Sequence, residues 1–301
     1  MLSVAKLQNK NPKNILGFIL LLVKSRIIVY GFAIASLGTY FIANGFQVPD
    51  VFIILKITAS TYLLALATYL YNDLTDLKVD SVNNTDTSYS SKKAEYKRIL
   101  YATTMFFVIG VILAFSINPM VGLASLAFCG LAIAYSHPFT HLKNIFVIKT
   151  VVTALGGFIA SMMGAFAAEN ISSLVLASSV IVFLFYFVNG PLNDIRDVKG
   201  DKSGGRRTIP IVIGVQNSFY LVNAIIFSVI SILVISFLLF NVHALGLTAG
   251  LLITGYLLVK IKKLSRNHMD KLLMNKTRTL VRNSMFAVQI SLCFGFLITN
   301  I

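Results

Sequence analysis

The chain has no tryptophan, two cysteines, six prolines and only 11 acidic residues among 301. Each scarcity narrows the reading. Cys129 and Cys293 both sit inside apolar stretches, which leaves no support for a disulfide framework or a cysteine metal site. Without tryptophan, an aromatic belt at a membrane interface falls to the 12 tyrosines. Charged residues make up 12% of the chain, where a soluble domain carries about a quarter. What fills the chain instead is apolar: 56% of residues are hydrophobic and the mean hydropathy is +0.81. The apolar runs reach the roughly 20 residues that a helix needs to cross the hydrocarbon. The short alternating segments of a transmembrane β-barrel do not occur. The expected class is an all-α polytopic membrane protein.

Nine candidate transmembrane helices fall near 27–45, 51–70, 97–116, 119–136, 145–168, 172–191, 217–240, 243–262 and 283–300. They are expected to form one bundle and a single domain over 1–301. Residues 13–23 (KNILGFILLLV) are too short to span and read as interfacial or docked into the bundle. Lys6, Lys10 and Lys13 precede an apolar run that continues past Lys24 and Arg26 without a cleavage site, which reads as an uncleaved anchor. The loops alternate in character. Those at 43–50, 117–119, 168–172 and 241–243 are short and nearly uncharged; those at 71–96, 136–144, 192–215 and 260–282 are long and polar and hold most of the Lys and Arg. The positive-inside rule then places the N-terminus and the long loops in the cytoplasm and the C-terminus across the cell membrane. A net charge of +15 would point a soluble protein toward nucleic acid. In this chain it orients the spans, so membrane lipid is expected as a partner and nucleic acid is not. No obligate protein partner is evident.

The acids are not scattered. Six of the 11 lie in two matching segments, NDLTDLKVD at Asn72–Asp80 and NDIRDVKGD at Asn193–Asp201. Each follows a long apolar run. Asp73, Asp76 and Asp80, and likewise Asp194, Asp197 and Asp201, occupy relative positions 0, 3 and 7, which share one face of a helix. Asn72 and Asn193 lie near the same faces. Clustered carboxylates repel one another, and an aspartate at membrane depth costs about 2.5–3.5 kcal/mol. A bound cation offsets both. All-oxygen donors suit Mg²⁺, Mn²⁺ or Ca²⁺ rather than zinc, and Mg²⁺ commonly completes its shell with substrate phosphate. Two clusters therefore point to metal ions bridging one diphosphate. One such motif alone would pass for a solvated helix end; its recurrence in so acid-poor a chain does not. The region from span two through span three resembles that from span six through span seven, as an internal duplication would.

Cations stand on the same side. Lys202, Arg206 and Arg207 follow the second motif in DKSGGRRTIP, where Gly204 and Gly205 allow a tight turn around an anion. Lys143 follows span four and Arg26 opens span one. These five are candidates for holding diphosphate. His137 and His141 are four apart, but Pro138 interrupts any helix between them, so no metal role is expected.

With these motifs the chain resembles the UbiA superfamily of intramembrane prenyltransferases. The likeness rests on the nine-helix layout, NDLTDLKVD, NDIRDVKGDKSGGRRTIPIVIG and AYSHPFTHLK after span four. It implies a bundle around a central cavity that opens to the membrane. It implies Mg²⁺ held by the six aspartates, an isoprenyl diphosphate donor and a lipophilic acceptor. By the same resemblance Asp73, Asp76, Asp194, Asp197 and Tyr135 take part in catalysis, and Asn72, Asn193 and Lys143 meet the diphosphate. One departure stands out. Many members carry an Arg-Pro-x-Arg-Pro-like segment after the first motif; here the stretch reads SVNNTDTSYSSKK, with Lys92 and Lys93 as its nearest cations. The acceptor classes open at this point are an aromatic or quinone precursor and an isoprenyl glycerol phosphate. A cyclase on the same scaffold, needing no acceptor, and a divalent-cation transporter are the competing readings. No charged residue recurs along the spans as a transporter path requires.

Overall fold

The structure, a computed structural model, describes residues 17, 22–23, 29–45, 47–82, 93–137, 139–140, 142–203 and 205–299, and of 76–82, 93–95 and 203 the backbone alone. Arg26, His141 and most of 13–23 lie outside the described residues, as do the side chains of Asp76 and Asp80. All regular structure among the described residues is helical. In lipid no water satisfies a bare backbone, so spanning segments bond internally. The helices are α1 (Tyr30–Asn44), α2 (Val51–Val82), α3 (Lys93–Phe115), α4 (Pro119–Ser136), α5 (Ile148–Ala167), α6 (Ser173–Ser203), the short α7 (Ile209–Ile213), α8 (Val215–Leu239), α9 (Ala244–Arg266) and α10 (Lys271–Thr299). Eight of them are long and apolar enough to cross a membrane. The first expected span, α1, is described over 15 residues.

The helices outrun several of the expected span edges. α2 continues from 70 through the whole first motif to Val82, and α6 from 191 through the second motif to Ser203. The change from apolar to polar marks where the chain leaves the hydrocarbon, whereas a helix ends where its hydrogen bonding is broken. Likewise α9 and α10 reduce the long 260–282 loop to 267–270. Starts are set locally. The Asp50 carboxylate accepts the amides of Phe52 (2.7 Å) and Ile53 (3.3 Å) as α2 opens. Asn118 accepts the Val121 amide at 2.9 Å, with Pro119 in the first turn of α4.

Consecutive helices pack side by side, α10 returns against α6 and α1, and α1 lies along α5. Two apolar cores result. One gathers α1 to α5 around Leu64, Leu66, Phe106 and Val121; the other gathers α1, α5, α6, α8, α9 and α10 around Phe185, Val229, Leu257 and Val288. Helices α1 and α5 belong to both cores. Between lipid-exposed helices there is little hydrophobic drive, so close backbone approach and buried hydrogen bonds carry the packing. A Cβ on Gly164 of α5 would fall inside the Ser36 carbonyl of α1. Beside this contact the Thr39 hydroxyl meets that of Ser161 at 2.5 Å, Ser161 donates to Ser179 at 3.0 Å, and Gln289 Nε2 donates to the Ala35 carbonyl at 3.2 Å. These buried polar groups tie α1, α5, α6 and α10 together.

Gly164→Ala is expected to lower stability by about 1–3 kcal/mol through overpacking. Gly130→Ala, whose new Cβ meets nothing within 4 Å, should leave stability unchanged or slightly raised. Thermal unfolding in detergent compares the two, and equal midpoints would refute a close α1–α5 contact.

Candidate functional site

The second motif is described in full. Asp194 and Asp201 are seven residues apart, which on a helix leaves them about 20° out of line. Both point inward, 2% and 6% exposed. Asp194 Oδ1 accepts from Lys149 Nζ at 2.6 Å. Asp201 Oδ1 lies 3.5 Å from an Arg206 guanidinium nitrogen, and the Arg206 amide donates to the Asp201 carbonyl at 2.9 Å. That backbone bond closes the end of α6, with Gly205 at φ +67° supplying the left-handed residue such a stop favours. Asp197 turns outward and its side chain is 47% exposed. Arg196 clamps it with both arms, Nε donating to Oδ1 at 2.7 Å and the terminal nitrogen to Oδ2. Each carboxylate thus holds a cation, which for the buried Asp194 and Asp201 offsets the cost of burying charge. Two oxygens remain: Asn193 Oδ1 and Asp201 Oδ2 are buried and find no hydrogen-bond partner among the described residues.

The first motif is met from α4 and the turn after it. Asn72 Oδ1 accepts from the Ser136 hydroxyl at 3.0 Å and from Lys143 Nζ at 3.4 Å, and Lys143 also donates to Thr75 Oγ1 at 2.9 Å. Lys143 sits on a single 3₁₀ turn, Leu142–Asn144, and is 8% exposed. Asp73 is partly buried on the same stretch of α2, and the backbone there is continuous helix through Asp80. Tyr135 is partly buried beside Ser136 at the end of α4, while Lys202 and Arg207 are exposed. Of the two arginines after the second motif, Arg206 alone reaches an aspartate in the described structure. His137 stacks on Phe139 at 5.3 Å and its Nδ1 accepts the Phe139 amide.

Lys149 is the residue that sequence reasoning passed over. It lies within the fifth candidate span, and a lone cation in an apolar run is itself a signal. Its position is set by an unusual turn. Val147 has φ +62° and ψ −40°, and the Ile148 amide donates to the Phe146 carbonyl at 2.7 Å. This is a γ-turn of the strained hand, rare for a β-branched residue. Strain of this kind persists where the surroundings fix it, and here α5 starts with its second residue against Asp194. α6 is shaped to meet it. A Cβ on Gly190 would run into the Thr150 side chain, and Pro191 interrupts the helix ladder just before the motif. Further in, Phe32, Tyr69, Phe128 and Tyr186 form an aromatic cluster, with Phe32 centred 4.7 Å from Tyr186, 5.8 Å from Phe128 and 6.4 Å from Tyr69. Gly157 leaves room for the Tyr186 ring.

Among the described residues no three acidic, histidine or cysteine side chains enclose a metal position. The donors at the second motif are nevertheless all oxygen, and the two buried unpartnered oxygens there suit a hard cation.

The fold and this site define an integral membrane helical bundle whose two longest helices carry matched aspartate motifs out of one end. The model of the UbiA prenyltransferase family matches residues 29–278, and the chain belongs to that family. A digeranylgeranylglyceryl phosphate synthase from Methanococcoides burtonii is 28% identical over 173 residues, covering 56% of this chain and 59% of the relative. The chain thus spans under two thirds of that relative's length. Among solved structures, one of digeranylgeranylglyceryl phosphate synthase superposes with a TM-score of 0.69 at 17% identity, covering 92% of this chain and 97% of the other. A UbiA homologue from Archaeoglobus fulgidus bound to DMAPP and Mg²⁺ gives 0.64 at 14% identity, covering 89% and 98%. At such identities these structures speak to the fold.

Lys149→Met leaves Asp194 buried and unpaired, so stability is expected to fall by about 3 kcal/mol. Adding Asp194→Asn should recover most of it. Unfolding midpoints of the single and double variants measure the coupling, and additive losses would refute the pair.

Proposed function

We propose that this chain is a Mg²⁺-dependent intramembrane prenyltransferase that moves an isoprenyl group from an isoprenyl diphosphate to an isoprenyl glycerol phosphate. The observation that carries the reading is the pair of matched motifs at the ends of α2 and α6, in a chain of the UbiA family. Asp73, Asp76, Asp80, Asp194, Asp197 and Asp201 are the proposed metal ligands, and Asn193 adds the buried Oδ1. Bound Mg²⁺ supplies charge neutralisation for the departing diphosphate. Asn72, Lys143, Arg206 and the exposed Lys202 and Arg207 hold and orient that group, and Arg26, from the sequence alone, is a further candidate. Lys149, which pairs with Asp194 at 2.6 Å, would be available to the substrate phosphate wherever that carboxylate served as a metal ligand. The bond from the prenyl C1 to the diphosphate oxygen breaks, the acceptor hydroxyl oxygen bonds to C1, and its proton is released. Aromatic faces stabilise positive charge developing at C1; Tyr135 and the Phe32–Tyr69–Tyr186 cluster are the candidates. The prenyl tail runs between the helices, in a cavity open to the bilayer. The relative's named activity supports a glycerol phosphate acceptor, and the basic face of the bundle suits it. The motif end is assigned to the cytoplasm by the positive-inside rule. The whole chain is one UbiA-like domain.

Purified protein with geranylgeranyl diphosphate, Mg²⁺ and geranylgeranylglyceryl phosphate should release pyrophosphate only when all three are present. Chelating the metal should stop turnover. Asp73→Ala and Asp194→Ala should each slow it at least about 100-fold, the scale of losing one electrostatic stabiliser. Pyrophosphate release without acceptor, together with a cyclic product, would replace the transferase reading with a cyclase.

A further inference from the structure

On the inward side of α10, Arg278 and Arg282 stand one turn apart. Helix α10 packs on α6 and α1, so this side meets the bundle. Like charges four residues apart repel, and α10 carries no acid to offset them. The acid within electrostatic reach of Arg278 is Asp197, which Arg196 already clamps with both arms; Arg196 itself adds a third positive charge nearby. Arg278 donates one long hydrogen bond, 3.5 Å, to Asn275 Oδ1. The Arg282 guanidinium lies over the Tyr30 ring at 5.7 Å, against a π face. The Nε of each arginine is buried without a hydrogen-bond partner. Two partly buried guanidinium groups without a paired carboxylate among the described residues are unfavourable as they stand, and an anion held between them offsets repulsion, burial and the unmet donors together.

The geometry points to an anion subsite at Arg278 and Arg282 that takes the phosphate monoester of the acceptor lipid. It rests on the proposed function above, and it names where that acceptor's head group binds. Three features favour the acceptor over the donor diphosphate. The diphosphate has its own charge compensation at the aspartate motifs through metal, whereas the arginine pair offers none of the carboxylates a metal bridge needs. The planar guanidinium fork matches a bare phosphate with two parallel hydrogen bonds. The same side of α10 then turns apolar: Phe286, one turn beyond Arg282, packs on Tyr30 at 6.1 Å, and Met285 and Val288 are buried below it. A phosphate head at the arginines with a prenyl tail along Phe286 and Met285 follows that gradient. The stretch after the first motif holds no arginine, so α10 supplies the fork from the other end of the chain.

Binding comes first, without donor or Mg²⁺. Geranylgeranylglyceryl phosphate should raise the unfolding midpoint of the wild type in detergent more than its dephosphorylated counterpart does. Arg278→Gln and Arg282→Gln should each weaken that phosphate-dependent binding at least about tenfold, the scale of a hydrogen bond to a charged group. Arg→Lys at the same positions should keep part of it, and unliganded midpoints check that the variants fold. In turnover, the Gln variants should raise KM for the acceptor by a similar factor and leave KM for geranylgeranyl diphosphate within about twofold. No preference of the wild type for the phosphorylated lipid, or Gln variants that bind it like the wild type, would overturn the subsite. A rise in donor KM alone would also overturn it, and would assign the arginines to the diphosphate. A wild type that binds the phosphate lipid through these arginines but does not prenylate it would leave the subsite standing and sink the proposed reaction.

Discussion

The crossing of α1 over α5 fixes where everything else lies. Ser36 and Gly164 touch backbone to backbone, and Thr39, Ser161, Ser179 and Gln289 close a hydrogen-bonded network around the contact. One core hangs from this seam on the side of α2, which carries the first aspartate motif. The other hangs on the side of α6, which carries the second. The spacing between the motifs is therefore set by the closeness of two helices that bear no motif residue. A bilayer makes this the natural device. Apolar side chains gain little by leaving lipid for one another, so small residues and buried hydroxyls must define the approach.

At the motif end the governing constraint changes from packing to charge. Carboxylates on helices that have just left the hydrocarbon need partners. The second motif finds one cation apiece: Lys149, Arg196 and Arg206. These partners come from three places, the strained start of α5, the motif itself and the turn after it. The arrangement is only partly satisfied, because Asn193 Oδ1 and Asp201 Oδ2 find no partner among the described residues. On the proposed reading such internal ion pairs suit the site, since a carboxylate that served as a metal ligand would leave its lysine or arginine cation to the phosphate.

Much of this was readable from sequence, and the rest failed for identifiable reasons. Apolar runs gave the spans because lipid imposes a length, and the repeated NDxxD pattern gave the motif residues because acids are so rare elsewhere. Lys143 and Arg206 were visible as cations near those motifs. The helical extensions of α2 and α6 were not, since hydropathy reports the membrane edge and says nothing of where a helix stops. Lys149 was hidden by its apolar neighbours, and the γ-turn at Val147 leaves no glycine or proline to announce it. Arg278 and Arg282 read as ordinary loop charges until α10 was seen to begin at Lys271 and bring them against α1 and α6.

The distribution of charge then has a chemical logic. The aspartate motifs lie on α2 and α6, while the two arginines without a carboxylate partner among the described residues lie on α10, with Arg278 within electrostatic reach of Arg196 and Asp197 of the second motif. An anion bridged by metal belongs with carboxylates; an anion without metal belongs with guanidinium groups. On the proposed reading, keeping the two on different helices would let one end of the bundle hold two negatively charged amphiphiles close together, although in water they would repel. The tails would then share the interior of the bundle, where the aromatic cluster of Phe32, Tyr69, Phe128 and Tyr186 lies. Bringing two such head groups side by side is the hard part of joining them, and on this reading opposite solutions to the same electrostatic problem, on two faces of one bundle, would accomplish it.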